Sequence, residues 1–132
     1  METLQWNDSI SVNNFEIDNQ HKYLIQLVNN LILNSNAKVK SAIIGESLQN
    51  LLKYTKEHFR DEELMLDKHN YPKLVEHKKE HKKFVLKIAG FCKDVLNGKS
   101  TVTVEMISFL VDWLINHTSV NDQDYKSHIS IL

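Results

Sequence analysis

Seven histidines in a chain of 132 residues are the feature an ordinary composition does not explain. His58 and Glu62 stand four apart, as do His77 and His81. On a helix that spacing puts each pair one turn apart, about 6 Å between Cβ atoms, suited to gripping one metal ion or flanking a pair. His21 is in phase with Leu24, Ile25 and Val28, His58 and Glu62 follow Leu51 by seven and eleven places, and His117 follows Trp113 by four. Such spacings keep residues on one helical face, so these titratable side chains take positions where apolar ones are expected. A single core histidine usually finds an ordinary hydrogen-bond partner. Five imidazoles and a carboxylate buried together would cost several kcal/mol per unpaired group, roughly, unless cations meet their lone pairs. Asp122, five residues after His117, would be rotated away on a regular helix, and a π-bulge or helix end around residues 118–121 would return it to the site.

The elements that must position these residues are helices. Three glycines and one proline are too few for an all-β chain of tight turns. Apolar residues recur at helical spacing in four stretches, which predicts helices over approximately 19–36, 39–66, 73–96 and 101–117 and onward, with residues 1–17 as an extended N-terminal arm. Asp18 is the expected N-cap of the first, and Pro72 suits the first turn of the third. Short connections force sequential neighbours to be antiparallel, so the expected fold is all-α, an up-down-up-down antiparallel four-helix bundle. His21 falls near the start of the first helix, His58 and Glu62 near the end of the second, His77 and His81 near the start of the third, and His117 near the end of the fourth. In such a bundle these four ends coincide. Cys92 lies eleven residues beyond His81, roughly 16 Å along the helix, too far to ligate.

Composition narrows the function. The chain is the size of one domain spanning 1–132. A formal net charge of −1 with 25% charged residues offers no surplus for phosphate backbones or anionic lipid, so no nucleic acid and no membrane partner is expected. No apolar run approaches the roughly 18 residues of a membrane span. A lone cysteine and no signal-like start lead to the expectation of a cytoplasmic setting.

Taken in order, His21, His58 with Glu62, His77 with His81, and His117 with Asp122 resemble the complete ligand pattern of the hemerythrin family. The flanking segments agree: WNDSISVNNFEIDNQHK looks like the opening of single-domain bacterial members, and HFRDEELM, NYPKLVEHKKEH and DWLINH match the later blocks. The resemblance implies two iron ions, Fe2+ in the deoxy form and Fe3+ in the oxy and met forms, joined by a hydroxide or oxide. It implies that His77, His81 and His117 hold one iron, His21 and His58 the other, and that Glu62 and Asp122 bridge them. Dioxygen would bind reversibly, as hydroperoxide, at the open position of the two-histidine iron, for transport, storage or delivery. Five histidines, against the carboxylate-rich ligation of ferritin-like oxidases, favour reversible binding over substrate oxidation. The alternatives are a ferroxidase, a nitric oxide or peroxide reductase, an oxygen or iron sensor, or a structural metal such as zinc.

Leu24, Phe59, Trp113 and Val120 match apolar positions lining the family's oxygen pocket, which must exclude water. Asn13 stands where relatives usually have glycine, a replacement that works if the backbone is left-handed there. Thr118 stands where isoleucine is frequent, which implies a more polar rim. His69 and His128 match no ligand position and are read as loop and tail residues. A monomer or small oligomer is expected, with any redox or oxygen-accepting partner unidentified.

Overall fold

The computed structural model describes residues 2–37, 41–97 and 104–130. In chain order it contains a 3-10 turn (Asp8–Ile10), α1 (Phe15–Asn36), α2 (Ser41–Lys68), α3 (Leu74–Leu96), α4 (Val104–Asn116), a π-helical segment (His117–Asn121) and α5 (Asp122–Ser130), with no strand among the described residues. α1 packs on α2, α2 on α3, and α4 against both α1 and α3, which closes an all-α four-helix bundle. Among the described residues no helix is long and apolar enough to cross a membrane.

Two apolar clusters hold the bundle. The larger joins Leu24, Val28, Leu31 and Ile32 of α1 to Leu48 and Leu51 of α2, Phe84, Ile88 and Cys92 of α3, and Ile107, Leu110 and Leu114 of α4. Each fully buried aliphatic or aromatic side chain of this kind contributes roughly 1.5–3 kcal/mol. The smaller cluster, Val12, Ile17, Leu66, Tyr71 and Tyr125, closes one end. Along α1 and α2 the polar residues His21, His58 and Glu62 fall between the two clusters, so the ligand layer is sealed on both sides by apolar packing.

The helix starts differ from the sequence expectation for a local reason. α1 begins at Phe15, because Asn14 is the cap and its side chain accepts from the backbone N–H of Ile17 at 3.0 Å. Asp18 accepts instead from Ser11 Oγ at 2.6 Å and from the N–H of Val12 at 2.9 Å, fastening the arm to the first turn of α1. The arm is therefore held rather than loosely extended, and Leu4 exchanges two backbone hydrogen bonds with the Asn29 side chain at 2.7 and 2.9 Å. Asn13 has φ 58°, the left-handed conformation asparagine tolerates, and Asn70 at φ 55° turns the chain after α2. α2 continues to Lys68, and Pro72 stands in the turn before α3 rather than inside it. The expected starts of the second and fourth helices at Val39 and Thr101 lie outside the described residues. His128 belongs to α5, not to a loose tail, and its ring Nε2 lies 2.7 Å from the carbonyl oxygen of His69.

Candidate metal centre

The four rods bring His21, His58, Glu62, His77, His81, His117 and Asp122 into one buried layer. Regular helical spacing delivers the first six. Asp122 arrives through the π-helical segment, in which its backbone N–H donates to the carbonyl of His117, a step of five residues. The hydroxyl of Thr118 bonds the carbonyl of Leu114 at 2.8 Å and that of Ser119 bonds the carbonyl of Ile115, supporting the wide turn from within. A regular helix would turn Asp122 by about 140° from His117. Here its carboxylate lies 3.0 Å from His117 Nε2 and is fully buried.

The histidines form two groups around the two carboxylates. Oε1 of Glu62 lies 2.7 Å from Nε2 of His77 and 3.0 Å from Nε2 of His81, while its Oε2 lies 3.4 Å from Nε2 of both His21 and His58. Asp122 divides likewise: Oδ1 faces His77 at 3.2 Å and His117 at 3.0 Å, and Oδ2 faces His21 at 3.2 Å. Each carboxylate thus turns one oxygen toward each histidine group.

The donor atoms fit cations better than they fit one another. Nε2 of His81 and Nε2 of His117 are 3.0 Å apart, and Nε2 of His21, Nε2 of His58 and both oxygens of Asp122 are buried without a hydrogen-bond partner among the described residues. Unpaired buried groups of this kind are costly, and a shared cation turns each lone pair into a bond. Outer contacts fix which nitrogen is free. Nδ1–H of His58 donates to Gln20 Oε1 at 2.6 Å, with the Gln20 amide oriented by donation to Asp61 at 3.0 Å. Nδ1–H of His81 donates to Glu63 Oε2 at 2.8 Å, so Nε2 of both rings carries the lone pair that faces inward. Tyr125 donates to Glu62 Oε2 at 3.1 Å. Phe59 stacks on His81 with ring centroids 3.7 Å apart, and Trp113 on His117 at 4.3 Å, which locks both imidazoles.

The layer is electrostatically tuned for cations. Burial opposes protonation of His21, but Asp122 and Glu62 outweigh it and raise its pKa from 6.5 to about 10. Against the same opposition they raise His77 to about 9, and they also raise His117. At His58 burial prevails and the pKa falls. Burial likewise disfavours ionising Glu62 and Asp122, yet the surrounding imidazoles hold both below the usual carboxylate range. Both are anions at neutral pH, and protons on the histidines occupy the place that metal charge would take.

Beside the layer lies a small cavity, with about 10 Å³ of room for the centre of a water-sized molecule, lined by His21, Leu24, Thr55, His58, Phe59, Trp113 and Thr118 among others. Of the residues read in the sequence as pocket-lining, Leu24, Phe59 and Trp113 line this cavity. Val120 does not: it is 55% exposed, because the wide π turn carries residue 120 off the face of His117, and Leu114 and Thr118 line the cavity instead. His69 and His128 stand outside the cluster. Gln20, Glu63, Tyr125 and Thr55 carry no ligand-like spacing of their own. Their only sequence signal is adjacency, since Gln20 precedes His21, Glu63 follows Glu62, Thr55 is one turn before His58 and Tyr125 one turn after Asp122.

Known proteins match this chain over nearly its whole length. The sequence profile described as the hemerythrin HHE cation binding domain matches residues 14–129. A bacteriohemerythrin of Stenotrophomonas maltophilia is 29% identical over 98% of this chain and 83% of its own. A myohemerythrin of Theromyzon tessulatum is 31% identical over 97% of this chain and 95% of its own. The crystal structure of a wild-type hemerythrin superposes with a TM-score of 0.89 at 30% identity, over 98% of this chain and 99% of that one.

Proposed function

Because the chain belongs to the hemerythrin family, we propose that this protein binds dioxygen reversibly at a non-haem di-iron centre, as a carrier, store or delivery protein without catalytic turnover. The observation that carries the reading is the division of each carboxylate: Glu62 turns Oε1 toward His77 and His81 and Oε2 toward His21 and His58, and Asp122 turns Oδ1 toward His77 and His117 and Oδ2 toward His21. Seven donors in two groups exceed the four of a structural zinc site. His77, His81 and His117 would hold one iron, His21 and His58 the other, with Glu62 and Asp122 spanning both. Iron bound there would supply the electrons that reversible dioxygen binding draws on. The two-histidine side has fewer ligands, and both of its histidines border the cavity against His117 alone from the other side, which favours it as the place where dioxygen enters.

The rest of the chain serves reversibility. Leu24, Phe59 and Trp113 wall the cavity with apolar surface that keeps out water and protons. Gln20 and Glu63 hold His58 and His81 in the required tautomer, and the Tyr125 hydroxyl steadies Glu62. The test is iron content together with an optical spectrum of the anaerobically reduced protein before dioxygen is admitted, after it, and after it is removed. Two irons per chain, one for each donor group, and a visible band that appears with dioxygen and disappears on degassing are expected. Sustained dioxygen consumption with a reductant would replace the carrier by an enzyme.

A further inference from the structure

Two threonines line the cavity beside the two-histidine group, and they behave differently. The hydroxyl of Thr118 is returned to its own helix, at 2.8 Å from the Leu114 carbonyl, the usual resting place of a helical threonine hydroxyl. Thr55 is 1% exposed, and its Oγ1 has no hydrogen-bond partner among the described residues. It lies one turn before His58 in α2 and lines the same cavity as His21 and His58, whose inward-facing Nε2 atoms are also unpartnered. An interior hydroxyl that forgoes its own carbonyl is a donor and acceptor waiting for something in the cavity. The room there suits one small molecule, and the walls that touch it are otherwise apolar or imidazole.

We propose that Thr55 is the hydrogen-bond donor to the small molecule held beside His21 and His58, and that it selects ligands bearing negative charge over neutral diatomics. This rests on the reading of the layer as a di-iron centre. A hydroxyl donates more strongly to an anion than to a neutral acceptor, so the contact discriminates by charge. Dioxygen held at reduced iron would carry negative charge that the Thr55 hydroxyl would favour, whereas a ligand that stays neutral would draw little from it. Thr55 is thus a specificity-determining residue that the apolar character of the surrounding wall conceals.

Thr55→Val replaces the hydroxyl by a methyl of the same shape, and Thr55→Ser keeps the hydroxyl, so the pair separates hydrogen bonding from packing. The metal-free Thr55→Val protein should melt at a higher temperature than the metal-free parent, because a buried group without a partner is removed. At equal iron content, the oxidised Thr55→Val protein should bind azide about tenfold more weakly in an optical titration, as expected for loss of a bond to a charged acceptor. Thr55→Ser should keep its azide affinity close to the parent's. A lower melting temperature in Thr55→Val, or unchanged azide affinity with iron content intact, overturns the role of Thr55 and leaves the di-iron reading standing. Absence of iron from the parent protein itself overturns both.

Discussion

The two histidine groups share their carboxylates but not their surroundings. His77, His81 and His117 crowd Oε1 of Glu62 and Oδ1 of Asp122, with His81 backed by the anionic Glu63 and two rings clamped by Phe59 and Trp113. His21 and His58 stand 3.2–3.4 Å from the carboxylate oxygens, inside the 2.7–3.8 Å span of the first group. His58 is backed by the neutral Gln20, and Nδ1 of His21 has no partner among the described residues. The cavity borders both histidines of this second group and, from the first, His117 alone. One half has more ligands, and the other has the larger share of the cavity wall. Under the di-iron reading, asymmetry of this kind would let one iron anchor the centre while the other exchanges a ligand.

The largest effect should come from the element common to both halves. Glu62→Ala removes an oxygen from each group and leaves Tyr125 facing nothing, so iron content should fall below about one per chain by metal analysis, as expected when a shared ligand is lost. A normal iron content would remove that bridge from the account. Next, His58→Ala should cost the open side its ion while the three-histidine side retains iron, giving about one iron per chain and no band with dioxygen. Equal iron loss in His58→Ala and His81→Ala would erase the distinction between the halves.

A smaller effect separates them through their outer partners. Glu63→Gln should weaken metal binding about 10- to 100-fold, since the carboxylate that accepts from Nδ1–H of His81 is replaced by a neutral amide. Gln20→Glu should do the reverse for His58 and make the halves more alike, read as tighter metal binding in a competition titration. If neither change moves the affinity, the outer contacts only orient the rings.

Acidity offers a fourth test, on the metal-free protein. His21 and His77 are raised above 6.5, so the stability they contribute is full below that value and is lost as pH rises through about 9 to 10. His58 is lowered, so its contribution is lost as pH falls below 6.5, and the depressed carboxylates withdraw theirs at still lower pH. The melting temperature should therefore peak near pH 6.5 and decline toward 10. Metal affinity should climb across that same rise, because protons and cations compete for one set of lone pairs. Smallest of all, His69→Ala removes only a contact of the ring with the Met65 carbonyl and should leave the dioxygen spectrum intact.

Much of this arrangement is legible in the amino-acid sequence because helical periodicity does two things at once. The spacing that places Leu24, Val28 and Leu51 in the core also places His21, His58 and Glu62 beside them, and four helix ends bring the groups together. Asp122 is legible only as an exception to that spacing, resolved by a π turn. The same turn displaces Val120, whose distance from His117 reads as inward on a regular helix. Asp18 misleads because a good capping residue is also a good clasp for the arm, and Asn14 takes the cap. Gln20 and Glu63 look like any polar residue on a solvated face, since what distinguishes them is contact across helices rather than position along one.

The central claim is that two unequal metal positions share Glu62 and Asp122. It is tested most directly by a crystal structure of the iron-loaded protein with anomalous scattering recorded at the iron edge. The account predicts two peaks, one bonded to Nε2 of His77, His81 and His117 and the other to Nε2 of His21 and His58, each sharing an oxygen of both carboxylates. A single peak, or a carboxylate bound to one ion alone, would contradict it.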